Sequence, residues 1–382
     1  MRKNYKNTKF NLLNVVLLIF ACSSSLEAET DNANDWIWDW PTIYNSQRDS
    51  SHIQNISVGG IIHYHYAIVD STIGNESDID VRRFRIGPKM KFLDNFLLSG
   101  KVNLQPEGDE LYKNLSTINL TFSPFGNEKK DIESKSTTIG KQRIPFTKEF
   151  STSSKKIKTF ERSLLVNQLA PNKATGISFR EKKNKFDYSL GLYSGDRADE
   201  FSNLQEDHLL LGKLKFELNE ETNLAIDYLY SMGNQSITSN IQDAYSLSLV
   251  WNESYNSGNI STMIDFIYAG GREEQHDASG IVIIPSYKIN ENLELVGRYQ
   301  FAKSESEGGL RLQKRYERLV TSISGAHELG DSYHAGYFGV NYFLDGQRLK
   351  IMTGVEFSSM KQASEQTNYE AWTLLTGVRM SF

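Results

Sequence analysis

Apolar side chains recur at every second position along most of this chain, most plainly at its end. Trp372, Leu374, Thr376, Val378, Met380 and Phe382 fall on one face; Ala371, Thr373, Leu375, Gly377, Arg379 and Ser381 fall on the other. A period of two is the mark of a strand with two unlike faces. The alternation begins at about residue 54, where Ile56, Val58, Gly60, Ile62, Tyr64, Tyr66 and Ile68 share a face. Phe84, Ile86, Pro88, Met90 and Phe92 form the next stripe, followed by Phe96, Leu98, Gly100, Val102 and Leu104. In the second half, Leu224, Ile226, Tyr228 and Tyr230 form one stripe, and Phe338, Val340, Tyr342 and Leu344 another. Residues 279–290 are apolar on both faces, so the pattern leaves their register open.

The runs amount to about sixteen strands, each with its connection spanning roughly 22 residues, which suits strands of about 9–11 residues. The connections alternate in length. Short links are read at 93–95, 181–184, 219–222, 252–258, 290–292 and 345–346, the last an Asp-Gly hairpin signal. The link at 123–136 is longer but falls in the same series. Between them lie long links at 70–80, 105–114, 147–172, 194–206, 231–240, 269–278, 303–333 and 358–368. Short turns at one end and long loops at the other predict an all-β, transmembrane antiparallel β-barrel with periplasmic turns and extracellular loops. A soluble sandwich has no reason to keep this alternation throughout.

Charge then separates the faces. The apolar stripes carry no charged residue, whereas Arg83, Arg85, Lys89 and Lys91 stand opposite Phe84–Phe92. Lys101, Lys141, Arg143, Lys213, Lys215, Arg298, Arg348, Lys350 and Arg379 join them, against Asp187, Glu217, Asp227, Asp265, Glu294 and Glu356. A Lys or Arg facing lipid at mid-bilayer costs about 2–4 kcal/mol. The charged face is therefore assigned to a wet lumen, with bases outnumbering acids about two to one. The formal net charge of −5 would mislead, because acids such as Glu305, Glu307, Glu365 and Glu370 collect in the long loops. A basic lumen concentrates anions and repels cations. The bland alternative is that these charges only hydrate the wall and brace loops.

Residues 147–172 differ from the other loops. Lys148, Lys155, Lys156, Lys158 and Arg162 accompany Phe160 and the Leu164-Leu165 pair. An apolar end suits a loop that packs on the inner wall, so an inward-folded constriction loop is expected. The alternative is an exposed basic loop on lipopolysaccharide phosphates.

The amino terminus reads differently. Arg2, Lys3, Lys6 and Lys9 precede an apolar run from Phe10 to Ala21, which is followed by small residues. Residues 1–28 are read as a secretory signal, cleaved after Ala28 or lipidated at Cys22, and 29–52 as a short periplasmic extension. Residues 53–382 make the barrel. Cys22 is the only cysteine, so disulfide frameworks, thiol chemistry and cysteine zinc sites are excluded from the remainder.

The terminal strand ending in an aromatic residue resembles the closing strand of a bacterial outer-membrane barrel. Three further stretches resemble one family, the phosphate-selective porins O and P. They are Arg82-Arg83-Phe84-Arg85-Ile86-Gly87 with Lys89–Phe92; Gly140–Phe146 with Phe160-Glu161-Arg162-Ser163-Leu164 and Leu169-Ala170-Pro171; and Gly339-Val340-Asn341-Tyr342-Phe343-Leu344. The resemblance implies a sixteen-stranded trimeric barrel of the Gram-negative outer membrane with an inward third loop. It also implies uptake of small anions, with phosphate or polyphosphate as candidates. The expected anion path comprises Arg83, Arg85, Lys89, Lys91, Lys101, Lys141, Arg143, Lys155, Lys156, Lys158, Arg162, Lys213, Lys215, Arg298 and Arg379. Expected partners are small inorganic anions, outer-membrane lipid and lipopolysaccharide, and two further copies of the chain; no cofactor and no nucleic acid are expected.

Other constellations carry less. His63 and His65 share a face, but no third metal ligand lies nearby in sequence. No local signature marks a catalytic serine, so a barrel enzyme is not expected. A non-conducting barrel acting as adhesin or scaffold is the rival class; its inner charges should be neutralised.

Overall fold

The computed structural model describes residues 41–46, 51–107, 109–124, 133–195, 200–202, 208–232, 241–255, 258–271, 277–306, 308–313, 315–324, 328–361 and 368–382. All lie in one compact unit, Pro41–Phe382. The signal segment 1–28 and most of the extension 29–52 lie outside the described residues.

Sixteen long strands follow one another. They are β1 (Ile53–Ser71), β2 (Gly74–Phe92), β3 (Phe96–Leu104), β4 (Tyr112–Phe122) and β5 (Glu133–Arg143). Next are β6 (Lys173–Lys183), β7 (Phe186–Ser194), β8 (His208–Glu217), β9 (Thr222–Met232), β10 (Ile241–Tyr255) and β11 (Gly258–Gly271). The last are β12 (Ala278–Lys288), β13 (Leu293–Ser304), β14 (Ser332–Asp345), β15 (Leu349–Lys361) and β16 (Tyr369–Ser381). Each pairs antiparallel with the next, and β16 pairs with β1, so the sheet closes into a barrel without free edges. Thr42–Asn45 adds a short strand along β1 beyond the end of β16. At that seam Gly60 makes room for the Phe382 ring, whose tip would stand 2.3 Å from a Cβ there.

The faces fall as the alternation predicts. Leu190, Ile226, Phe338 and Trp372 point out and are exposed, while Ala371, Thr373, Leu375 and Arg379 point in and are buried. The register of β12 is settled as well: Val282 and Ile284 are buried, and Leu165 lies against Gly280 on the inside.

Three features differ from the sequence reading. First, the expected long link at 70–80 is a two-residue turn between strands of 19 residues each. The ladder runs on through Ser71↔Gly74, Val69↔Glu76 and His65↔Asp80. Polar side chains on both faces look like loop, but paired strands carry them equally well.

Second, a register shift opposite His63 and Tyr64 inserts an extra residue at Arg82, since His63 pairs with Arg83 and Tyr64 with Val81. A bulge of this kind re-aims a side chain. Strict alternation places Arg82 toward lipid; the bulge turns it inward with Arg83.

Third, the inner wall is not polar throughout. Val69, Leu209, Leu211, Leu229, Ile267, Met352 and Leu375 are buried inside it. They face two segments that fold into the barrel, so this part of the lumen is a packed core and must be apolar.

Candidate functional site

Residues 144–172, between β5 and β6, form the first inward segment. Thr147 starts it at φ 59, an unusual conformation for a β-branched residue. Its hydroxyl accepts the Phe150 N–H at 3.0 Å, capping α1 (Lys148–Ser151). α2 (Leu164–Leu169) follows, with Leu164, Leu165, Val166 and Leu169 buried. Phe146 and Phe160 are no more than 1% exposed.

Polar anchors around much of the wall hold this segment. Glu149 accepts Ser163 N at 2.9 Å and Ser163 Oγ at 2.6 Å, and its own N–H donates to Asp265 Oδ2 at 2.8 Å. Leu164 N donates to Gln300 Oε1 at 2.7 Å, and Asn341 donates to Lys158 O at 3.0 Å. Arg379 donates to Phe160 O at 2.6 Å, and Lys350 to Ile157 O at 3.2 Å. Glu161 receives Arg82 on both carboxylate oxygens, with Arg83 at 3.5 Å.

The second inward segment, residues 305–331, was read only as a long loop. Leu310–Arg311 pair with Leu329–Gly330, and α3 (Glu317–Ser324) lies between. Leu310, Leu312, Tyr316 and Val320 join the interior core. Tyr316 hydrogen-bonds His65 Nδ1 at 3.1 Å, and Arg315 pairs with Asp80. Asn167 donates to Gln313 Oε1 at 3.2 Å, and Gln168 to Gly309 O at 2.8 Å, which locks the two segments together. Burial pushes the Glu317 carboxyl up to about 7, against the donors Gln313 N and Tyr333 OH.

The candidate residues divide by surroundings. Arg83, Arg162, Arg298 and Arg379 are buried and committed to the inward loop. Arg162 donates to Thr152 O at 2.7 Å, and Arg298 bonds Glu356 and Glu161 O. Lys141 donates to Glu200 O at 2.7 Å. Lys158 pairs with Glu294 at 3.2 Å, Lys213 with Asp227 at 3.0 Å and Lys215 with Glu217 at 3.5 Å.

The β2–β3 side is different. Lys89, Lys91 and Lys101 have no carboxylate or hydrogen-bond partner among the described residues. Among the described residues Arg85 bonds only the neutral Asn103, at 2.6 Å. The charges that act most strongly on Lys101 are those of other cations: Lys89, Lys155, Arg85 and Arg143. Arg143 donates to Phe150 O at 3.3 Å and Thr152 O at 3.1 Å, and Lys155 to Phe382 O at 3.1 Å. Register makes this a ladder. Arg85 pairs with Asn103 and Lys89 with Ser99, so Lys101 falls opposite Gly87, midway between them. A Cβ on Gly87 would stand 2.0 Å from Gly100 O, so glycine alone lets the strands meet here. Arg85, Lys101, Lys89 and Lys91 thus occupy successive levels about 6.7 Å apart.

Two cavities lie within the barrel, of which the first borders this side and the second lies against β5–β12. One of about 430 Å³, toward the long loops, is lined by Arg82, Arg83, Arg85, Asn103, Lys113 and Arg315 with Asp80 and Glu107. One of about 870 Å³, toward the short turns, is lined by Arg143, Lys148, Lys156, Lys213 and Lys215 among others. Arg82 and the 305–331 segment were missed from sequence. The available signal for Arg82 was a charge on an otherwise uncharged lipid stripe.

Comparison with known proteins agrees with this architecture. Residues 56–209 match the family described as phosphate-selective porin O and P. A loop-deletion form of OmpT, an outer-membrane protein of Vibrio cholerae, superposes with TM-score 0.55 at 12% identity, covering 87% of this chain and 100% of that one. The outer-membrane channel DcaP of Acinetobacter baumannii superposes with TM-score 0.53 at 12% identity, covering 89% and 100%. No curated protein matches by sequence. The fold is that of outer-membrane porins, which places the protein in the outer membrane of a Gram-negative bacterium.

Proposed function

We propose that the protein is a diffusion pore for small anions, with phosphate-type oxyanions as the favoured class. The observation that carries this reading is the uneven neutralisation of the inner wall. Where the loops fill the barrel, cations meet carboxylates: Lys213 with Asp227, Lys158 with Glu294, Arg298 with Glu356. Along β2 and β3, Lys89, Lys91 and Lys101 meet none among the described residues. An adhesin or scaffold barrel would gain nothing from leaving one sector charged.

In this mechanism an anion enters the chamber at Arg85 and passes Lys101, Lys89 and Lys91 in turn. Single cations about 6.7 Å apart give several weak sites rather than one trap, and conduction needs weak, multiple sites. The segment 147–172 narrows the route, with Lys155 and Lys156 bordering it. Arg85 adds a planar, forked donor suited to oxyanions. Arg83, Lys141, Arg162, Arg298 and Arg379 act by holding loops in place. Phosphate is favoured because the family's description names it. A trimer is proposed as well; one OmpT structure is described as a trimer form.

Planar-bilayer recording tests the reading. Chloride should carry most current in a potassium chloride gradient, and phosphate should reduce that current. Cation-selective or absent current overturns it.

A further inference from the structure

We infer that Glu161 sets how tightly the pore holds anions, by cancelling one of the two positive charges that Arg82 and Arg83 bring to the outer chamber. This rests on the anion-pore reading and adds a specificity-determining residue to it. The bulge turns two successive arginines inward, and both line the 430 Å³ chamber with Arg85. Left uncompensated, three guanidinium groups within four residues would be a dense positive trap.

Glu161 prevents this. Its carboxylate is 5% exposed, receives Arg82 Nη2 at 2.9 Å besides the Arg82 Nε contact, and lies 3.5 Å from Arg83. Burial opposes its ionisation, yet Arg82 and Arg83 hold the carboxyl well below the usual carboxylate range. It therefore stays charged at neutral pH. The charge comes from the inward loop rather than from the wall, and Arg298 holds the same residue's carbonyl. Docking of the loop thus narrows the route and lowers the charge beside it. An anion must leave as readily as it enters, so this moderation favours throughput.

The test compares variants that break the same ion pair from opposite sides. Purified, refolded protein is recorded in planar bilayers, and half-block of chloride current by inorganic phosphate is measured. Glu161→Gln adds one positive charge to the chamber. Half-block should move to roughly three- to tenfold lower phosphate, the effect of one unit charge about 6 Å from a dianion in water with and without screening by physiological salt. Arg82→Gln removes one positive charge, so half-block should move to higher phosphate. The double variant should return toward wild type, and Glu161→Asp, which keeps the charge, should stay close to it. If the pair is only an anchor, both single variants loosen the loop and shift block in the same direction; that result, or no shift, overturns the inference. Should Glu161→Gln fail to assemble, Arg82→Gln decides: unchanged or tighter block overturns it. Absence of phosphate block in the wild-type protein, with cation-selective current, instead overturns the anion-pore reading itself.

Discussion

Removing the middle rung of the cation ladder is the most direct perturbation. Lys101 meets no carboxylate among the described residues, and Arg85 and Lys89 stand one level to either side. A permeating chloride passes the ammonium at about 5 Å. At the dielectric constant of water this contact is worth about 0.8 kcal/mol, and screening at physiological salt reduces it to about 0.5 kcal/mol. Lys101→Gln should therefore lower the chloride-to-potassium permeability ratio roughly two- to fourfold. Lys101→Glu doubles the charge change and should lower it roughly five- to fifteenfold. The assay is the reversal potential in a potassium chloride gradient. Lys213→Gln combined with Asp227→Asn supplies the control, because it removes a pair already neutral in sum. If Lys101→Gln leaves the reversal potential unchanged, or the control shifts it as far, the ladder does not carry the current.

Other outcomes follow from the packing and the loops. Phe160→Ala deletes a side chain 1% exposed; the loss of roughly 3–5 kcal/mol should loosen the inward loop, seen as larger conductance with weaker selectivity. Phe338→Arg places a charge on the lipid face, where Phe338 is 62% exposed; bilayer refolding titrations should show a loss of about 2–4 kcal/mol near mid-membrane. The Glu317 carboxyl, pushed up to about 7 by burial, binds its proton more tightly when the 305–331 segment is docked. Docking is then fully supported below about 4.5, and that support is lost as pH rises through about 7. Protection factors of the Leu310 and Leu312 amides, with the intrinsic base catalysis of exchange divided out, should fall across that window, and Glu317→Gln should abolish that fall. Tyr333, which donates to Glu317, and Glu356, which repels it, face the same carboxyl and stay in place in that variant.

The barrel was legible in the sequence because its solvent is anisotropic. Lipid outside excludes charge, so Phe338, Ile226 and Trp372 had to alternate with residues of another kind, and counting the alternations gave about sixteen strands. The short turns were legible for a similar reason: few residues at 93–95 and 345–346 can reverse a paired ladder. The inward loop was legible in part, since Phe160 and Leu164 have no place on a solvated surface.

What alternation cannot express is where the period slips and what fills the inside. One extra residue at Arg82 reverses its facing, and only the strand pairing around His63 and Tyr64 reveals it. The sequence by itself determined the strands, their two faces and the basic character of the lumen, because each follows from near neighbours and a uniform lipid exterior. Only the tertiary structure decided which cations are paired. Lys213 and Lys101 look alike along the chain, yet one meets Asp227 from the next strand and the other meets no carboxylate among the described residues. Closing the sheet and folding residues 144–172 and 305–331 into it brings together charges far apart in sequence. Coulomb energy depends on those final distances, and they exist only once the barrel has closed.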